Sequence, residues 1–417
     1  MSNAGCSFQE EQKKRTWPFR ILISFAFCLL MLPGFSQGNT DSCTLEISLL
    51  TCSPGTELYS LFGHTAIRVR DDRRGMDVVY NYGTFDDSDP LFYFHFTRGI
   101  MVYSLSASTF QDFMVEYEYE HRGVIEQMLN LSCAQKKNLY EALRENTTEQ
   151  NRFYNYHFYA DNCTTRAGKI IVANSDSFRF ANILPDSNPT YRKLIHAYLE
   201  RQQQWWSEFG IDLLLGANLD KKPSNEQVIY FLPDYLMTGM DHAQNALGPV
   251  VAKKRVILQQ RDQSQNTEWF TPIFLFGVLL VCCGLLSLLR NRASQIALKI
   301  FDVLLFAILG LLGFLLLYVW IFRVDEVCRN NINICWAIPT HLIAICLIRK
   351  NPFWLKYYFQ GNAALAAILL TGFAWWPQQM NRSLLLLLPL IILRSVNMYL
   401  TLSNAKKHTV SGNTRRL

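Results

Sequence analysis

Two regimes of hydrophobic patterning divide this chain near residue 268. Before it, apolar residues alternate with polar ones or recur at helical spacing. From Phe270 onward, long apolar runs are separated by short polar punctuation, the pattern of a polytopic membrane segment. In the first regime, alternation predicts a strand over 45–50, ended by the turn Cys52-Ser53-Pro54-Gly55, and a short helix over 57–61. A second strand runs from His64 to Arg70, with Thr65, Ile67 and Val69 on one face and His64, Ala66 and Arg68 on the other. The charged segment 70–77, containing Gly75, is a hairpin turn, and 78–82 is the return strand. Further strands are expected at 92–96, 102–105 and 123–129. From Cys133 to Asn146 the period becomes helical, with Leu139 and Leu143 on the apolar face. An aromatic run over 154–159 leads into Asp161-Asn162-Cys163, and 164–173 reads as a helix capped by Asp161 or Asn162. The remainder to Glu268 reads as helices with loops.

In the second regime five spans are expected, at about 270–289, 300–322, 333–348, 357–376 and 383–402. Arg290, Arg292, Lys299, Arg349, Lys350, Lys356 and four basic residues of the tail lie on one side. Arg323, Arg329 and Arg382 lie on the other, so the richer side is expected to be cytoplasmic. Lys13, Lys14 and Arg15, the apolar run 21–32 and a small-residue exit near Ser36 form a secretory signal, which also sends the following segment outward. The expected layout is therefore a signal peptide over 1–37, an extracytoplasmic domain over 38–268 and a membrane domain over 269–417. The net charge of +6 is a topology signal, because much of it sits in membrane loops; it does not mark nucleic-acid binding. Arg394, a dozen residues into the last span, is expected to snorkel toward the cytoplasmic headgroups. His341, inside the third span, reads equally as a functional group or a helix–helix hydrogen-bond partner.

Candidate chemistry centres on Cys163 and His64. A cysteine at a helix N-terminus has its thiolate favoured by the dipole and by free N–H groups, which also suit an oxyanion. A histidine beside the thiol takes its proton and returns it to a leaving group, and needs a third group to fix its tautomer. Asn81, on the strand paired with that of His64, is the candidate third group; Tyr82, His157 and Asp161 are alternatives. Against this, extracytoplasmic cysteines usually form disulfides: Cys43, Cys52, Cys133 and Cys163 allow three pairings, and Cys328 and Cys335 offer another bond.

Phe62-Gly63-His64-Thr65-Ala66-Ile67-Arg68-Val69, Tyr80-Asn81-Tyr82-Gly83-Thr84-Phe85 and Asp161-Asn162-Cys163-Thr164-Thr165-Arg166 resemble the motifs of the Lnb N-terminal periplasmic domain, from bacterial lipoprotein N-acyltransferases. The order of His before Asn-Cys is also similar to the permuted papain-like fold of lecithin:retinol acyltransferases. The resemblance implies an α+β permuted papain-like extracytoplasmic domain followed by an all-α polytopic membrane domain. It implies that Cys163 takes an acyl chain from a glycerophospholipid as a thioester and passes it to the α-amino group of a lipoprotein's diacylglyceryl cysteine. The partners implied are a phospholipid acyl donor, a diacylated lipoprotein acceptor and the bacterial inner membrane, with the catalytic domain in the periplasm and the C-terminus cytoplasmic. No cofactor, metal or nucleic acid is expected. The aromatic segments 92–96 and Trp205-Trp206 read first as core packing and second as lining for an acyl chain. The alternatives are a thiol peptidase or amidase of the cell envelope, and a non-catalytic assembly protein.

Overall fold

Leu45–Cys52 forms β1, buried along almost its whole length as an interior strand must be. The computed structural model, which describes residues 43–57, 59–85, 90–260, 269–289 and 291–413, places it in a seven-stranded antiparallel sheet. β2 (His64–Asp71) pairs with β1 from Cys52↔His64 to Leu45↔Asp71. A 3-10 turn at Asp72–Arg74 then returns the chain as β3 (Met76–Thr84). With β4 (Val102–Thr109), β5 (Val124–Leu129), β6 (Phe153–Asn155) and β9 (Val251–Leu258), the order is β6-β4-β3-β2-β1-β5-β9; β7 (Gln244–Asn245) and β8 (Gly248–Pro249) make a separate ribbon.

Three local expectations are corrected. Residues 92–96 lie not in a strand but in helix α1 (Phe92–Arg98), closed by Gly99 at φ 69. A short continuous apolar run suits either element, and the left-handed glycine decides for the helix. The described residues of 57–61 make turns, with Ser60 N–H donating to Glu57 O. Val251–Leu258 is a strand at the sheet edge. Its Lys253, Lys254 and Arg255 mask the alternation, as charge commonly does on an edge strand.

Helix α2 (Phe110–Tyr119) covers the sheet face of Ala66 and Val79 with Phe113, Met114 and Tyr117, each apolar side chain contributing about 1.5–3 kcal/mol when fully buried. The opposite face carries α3 (Cys133–Asn146), which bonds Tyr82 through Asn146, and α4 (Cys163–Ala173), whose Thr164 meets Thr65. Then follow α5 (Tyr191–Arg201), α6 (Trp205–Leu214), α7 (Asn225–Ile229) and α8 (Pro233–Asp241).

The apolar half forms α9 (Pro272–Leu288), α10 (Arg292–Phe322), α11 (His341–Leu347), α12 (Leu355–Thr371) and α13 (Leu384–Asn413). Among the described residues, α10 and the 384–404 part of α13 are the two helices long and apolar enough to cross a membrane by themselves. The third expected span is not one helix: a 3-10 turn at Ile332–Cys335 precedes α11, with Pro339 between them interrupting the hydrogen-bond ladder. That broken segment packs against α10 at Gly313, where any Cβ would overlap the Ala337 carbonyl. Arg394 does not snorkel. It is buried and closes a bidentate pair on Asp302 of α10, Nε to Oδ1 at 2.6 Å and NH2 to Oδ2 at 2.9 Å. His341 bonds Tyr358 of α12 at 2.7 Å, as a helix–helix partner.

The described residues from Thr44 onward pack as one compact unit. The expected signal segment, 1–37, lies outside the described residues. Within the unit, the membrane half caps α6 of the first half. Asn333 donates to Asp212 O (2.8 Å), Asn331 to Leu213 O (2.7 Å) and Gln378 to Leu215 O (3.1 Å), satisfying carbonyls that a helix end leaves open.

Candidate active site

Asn162 starts α4. Its Oδ1 accepts from the Thr165 N–H at 2.9 Å, and the Thr165 hydroxyl accepts from the Asn162 N–H at 3.3 Å, a reciprocal cap. The Asn162 amide also donates to Phe158 O and Phe231 O, both at 2.9 Å, so the cap is anchored to two loops. Cys163 is therefore held at the first helical position. Thr165 N–H is used by the cap and Arg166 N–H by Asn162 O, whereas the Cys163 and Thr164 N–H groups make no hydrogen bond among the described residues. They are oriented donors beside the thiol, the kind of group that stabilises an oxyanion.

The structure brings Cys163, His64 and Asn81 together. His64 Nε2 donates to Asn81 Oδ1 across the β2–β3 pair, which leaves Nδ1 to the thiol. The alternatives for the third position are otherwise engaged: Tyr82 OH accepts from Asn146 at 2.9 Å, and Asp161 holds Arg166 through two bonds of 2.7 and 2.8 Å. His157 is held in a tight turn with Asp161.

Gly83 lies against this meeting point. It sits at a bulge in β3 with φ 98, and a Cβ there would lie 3.5 Å from Cys163 Cβ and 3.8 Å from His64 Cε1, ordinary contact with both. Cys163 arrives with a helix on one face of the sheet, whereas His64 lies on the face that α2 covers. The positive φ of the bulge, rather than a lack of space, is what calls for glycine there.

Electrostatics favour the ionised pair. Burial alone would raise the Cys163 thiol. The His64 cation, the hydrogen bond between the two groups, the Thr65 N–H and the Thr164 hydroxyl outweigh it and hold the thiol below its ordinary value. Burial alone would lower His64, but the Cys163 thiolate and the hydrogen bonds to Cys163 and Asn81 leave it raised. Cys52, opposite His64 in the sheet, is the contrast: burial pushes its thiol up to about 12, an inert form at neutral pH. Cys43, Cys52, Cys328 and Cys335 are free thiols in the structure, as is Cys163.

Beyond the thiol stands an aromatic wall whose Tyr103 and Tyr59 no sequence motif carries. Tyr156 packs on Tyr103 (4.5 Å between centroids), Tyr103 stacks on Phe85 (5.2 Å) and Phe85 meets the exposed Tyr59 (6.0 Å). Gly83, two residues before Phe85, faces Cys163 Cβ, and burial, then the charge of the Cys163 thiolate, raises the Tyr103 and Tyr156 hydroxyls. Trp206 lies away from this wall, packed on Phe209 and Phe270 with its N–H donated to Phe270 O at 2.7 Å.

One group among the described residues has the donor set of a cation site: His196, Glu208 and Asp212, with one ligand atom each within 4.8 Å. Most of its ligand atoms are already engaged. Asp212 Oδ1 accepts from Arg192 (2.8 Å) and His196 (2.9 Å), Oδ2 accepts from Asn381 (3.0 Å) and Glu208 Oε1 accepts from Asn381 (3.4 Å), while Glu208 Oε2 is buried with no hydrogen-bond partner among the described residues; the group is an ion-pair network linking α5 and α6 to the membrane half.

Residues 33–197 match the model of the Lnb N-terminal periplasmic domain, and residues 263–406 that of the Lnb transmembrane domain. The chain is thus a membrane protein with an N-terminal periplasmic domain of α+β type and a helical membrane domain. No curated protein and no solved structure matches it.

Proposed function

The chain belongs to the Lnb-type family, and we propose that it is a lipoprotein N-acyltransferase of the bacterial inner membrane, using Cys163 as nucleophile. The observation that carries this reading is the contact of a low-pKa Cys163 with an Asn81-oriented His64 on a domain packed against membrane helices. The Cys163 thiolate attacks an ester carbonyl of a glycerophospholipid, with the Cys163 and Thr164 N–H groups facing the developing oxyanion. The acyl–oxygen bond breaks, and His64 gives its proton to the departing lysophospholipid alkoxide. The α-amino group of a diacylated lipoprotein then attacks the thioester; His64 takes a proton from it, and the amide forms as the thiolate leaves. Both substrates are lipids of one leaflet, so anchoring the site beside that leaflet spares their extraction into water. The basic side of the membrane loops supports a periplasmic site and a cytoplasmic C-terminus.

The test is covalent. Full-length protein incubated with acyl-labelled phospholipid should acquire a hydroxylamine-sensitive label that Cys163→Ser abolishes. The label should then pass to a diacylated lipopeptide with a free N-terminus. Cleavage of cell-wall peptides without labelling would select the thiol peptidase reading instead.

A further inference from the structure

The β3–β4 connection joins the aromatic wall to the membrane half. Phe85, just after β3 and two residues from the Gly83 that faces Cys163 Cβ, and Tyr103, the second residue of β4, stack at 5.2 Å where it begins and ends. Its middle is α1, seated on the outer end of α10. Arg323 NH1 donates to Phe96 O at 2.6 Å, Val324 N–H donates to Arg98 O at 2.9 Å, and the Arg323 guanidinium lies 5.6 Å from the Phe96 ring. α1 turns apolar side chains outward: Leu91 is 55%, Phe94 49% and Phe96 38% exposed. The adjoining end of α10 does the same, with Phe322 at 56% and Val324, just beyond it, at 60% exposed. That surface is continuous with the lipid-facing exterior of a 31-residue apolar helix, so its neighbour is the bilayer. Arg98, whose guanidinium lies 5.8 Å from the Phe94 ring, adds a cation beside the apolar face, the composition of an interfacial helix.

We propose that α1 lies in the outer-leaflet interface and is the entry surface for the acyl donor, passing a phospholipid chain from the bilayer along Phe85 and Tyr103 to Cys163. This rests on the acyl-transfer reading and adds where the lipid enters. Apolar contact with acyl chains supplies the driving force, and the aromatic wall carries it from the bilayer surface to the sulfur.

The experiment compares two donors on full-length protein. One is acyl-labelled phosphatidylethanolamine in vesicles with phosphatidylglycerol; the other is p-nitrophenyl butyrate, which reaches the thiol from water. In Leu91→Gln/Phe94→Gln, the ratio of vesicle-driven to butyrate-driven Cys163 acylation should fall by about tenfold, the effect of weakening two apolar anchors. Tyr119→Gln, a change at the still more exposed aromatic of α2, should keep the wild-type ratio. An unchanged ratio in the double variant overturns the entry surface while leaving acyl transfer intact. Equal loss with both donors also overturns it, since the side chains then serve the fold. Wild-type protein acylated by butyrate but never by phospholipid, or by neither, overturns the acyl-transfer reading and the entry surface with it.

Discussion

His64 Nε2 donates its proton to Asn81 Oδ1, and that one bond turns Nδ1 toward Cys163. Removing the acceptor frees both tautomers and ring rotation. Asn81→Ala should lower thioester formation by roughly a hundredfold, the usual effect of misplacing a catalytic group. Asn81→Asp keeps an acceptor and should retain clearly more activity. Single-turnover labelling of Cys163 in both variants checks this; equal rates in Ala and wild type would remove Asn81 from the site.

The lowered thiol and raised imidazole predict a bell-shaped pH dependence of kcat/KM. Activity rises as pH passes the Cys163 value and the thiolate forms. It falls as pH passes the His64 value and the imidazolium deprotonates. Iodoacetamide should modify Cys163 below the pH range of an ordinary thiol. His64→Ala should move that profile upward, because burial is then opposed only by the Thr65 N–H and the Thr164 hydroxyl. Coincident alkylation profiles for the two proteins would show that His64 does not act on the sulfur.

Gly83 has φ 98 and faces both reacting side chains. Gly83→Val adds a branched side chain in a backbone region it strongly disfavours and wedges Cys163 from His64. Labelling should be lost in Gly83→Val and reduced in Gly83→Ala, whose Cβ fits at contact distance but whose backbone is strained at that φ. Circular dichroism should show the fold retained for Ala, which separates local strain at the site from loss of the domain.

Arg394 and Asp302 are buried together between membrane helices. Arg394→Met should destabilise the detergent-solubilised protein by about 3–5 kcal/mol, because it strands a buried carboxylate. Asp302→Leu added to it should recover much of that loss. Thermal unfolding of the single and double variants measures both steps; a neutral single variant would mean that Arg394 has another way to reach water.

At the junction, His196 and Glu208 both hold protons more tightly than usual. For His196, burial is outweighed by its bond to Asp212 and that carboxylate's charge; for Glu208, burial dominates. A raised value contributes stability at low pH that is lost as pH climbs, beginning near the ordinary glutamate value for Glu208 and the ordinary histidine value for His196. Asp212 is lowered despite burial, chiefly by its bond to His196, so its contribution has the opposite sign and fades only in strong acid. Thermal stability should therefore be higher near pH 6 than near pH 8, with a smaller difference in His196→Asn. Gln378→Ala, which removes one of two donors to Leu215 O and strands the Ile332 N–H, should cost about 1–3 kcal/mol at either pH.

Elements whose cause is local were legible in the sequence. The β2–β3 hairpin, the α3 helix and the Asn162 cap follow from alternation, helical period and one side-chain acceptor, and each appears where the pattern put it. Placing His64 and Asn81 on paired strands was legible for the same reason: a tight turn fixes its own register. Residues 92–96 and 251–258 were misread because a short apolar run and a basic edge strand carry no period of their own, and only their neighbours decide between helix, strand and loop.

By itself, then, the sequence determined the elements, the division into a periplasmic and a membrane half, and the residue types able to do thiol chemistry. The tertiary structure decided which of those residues meet. Cys163 meets His64 beside Gly83, Arg394 finds Asp302 instead of the headgroups, and α6 has its carbonyls capped by residues more than a hundred positions away. A turn or cap is set by bonds within a few residues. The state of a buried thiol, cation or helix end depends on which group lies across the core, and packing alone supplies that.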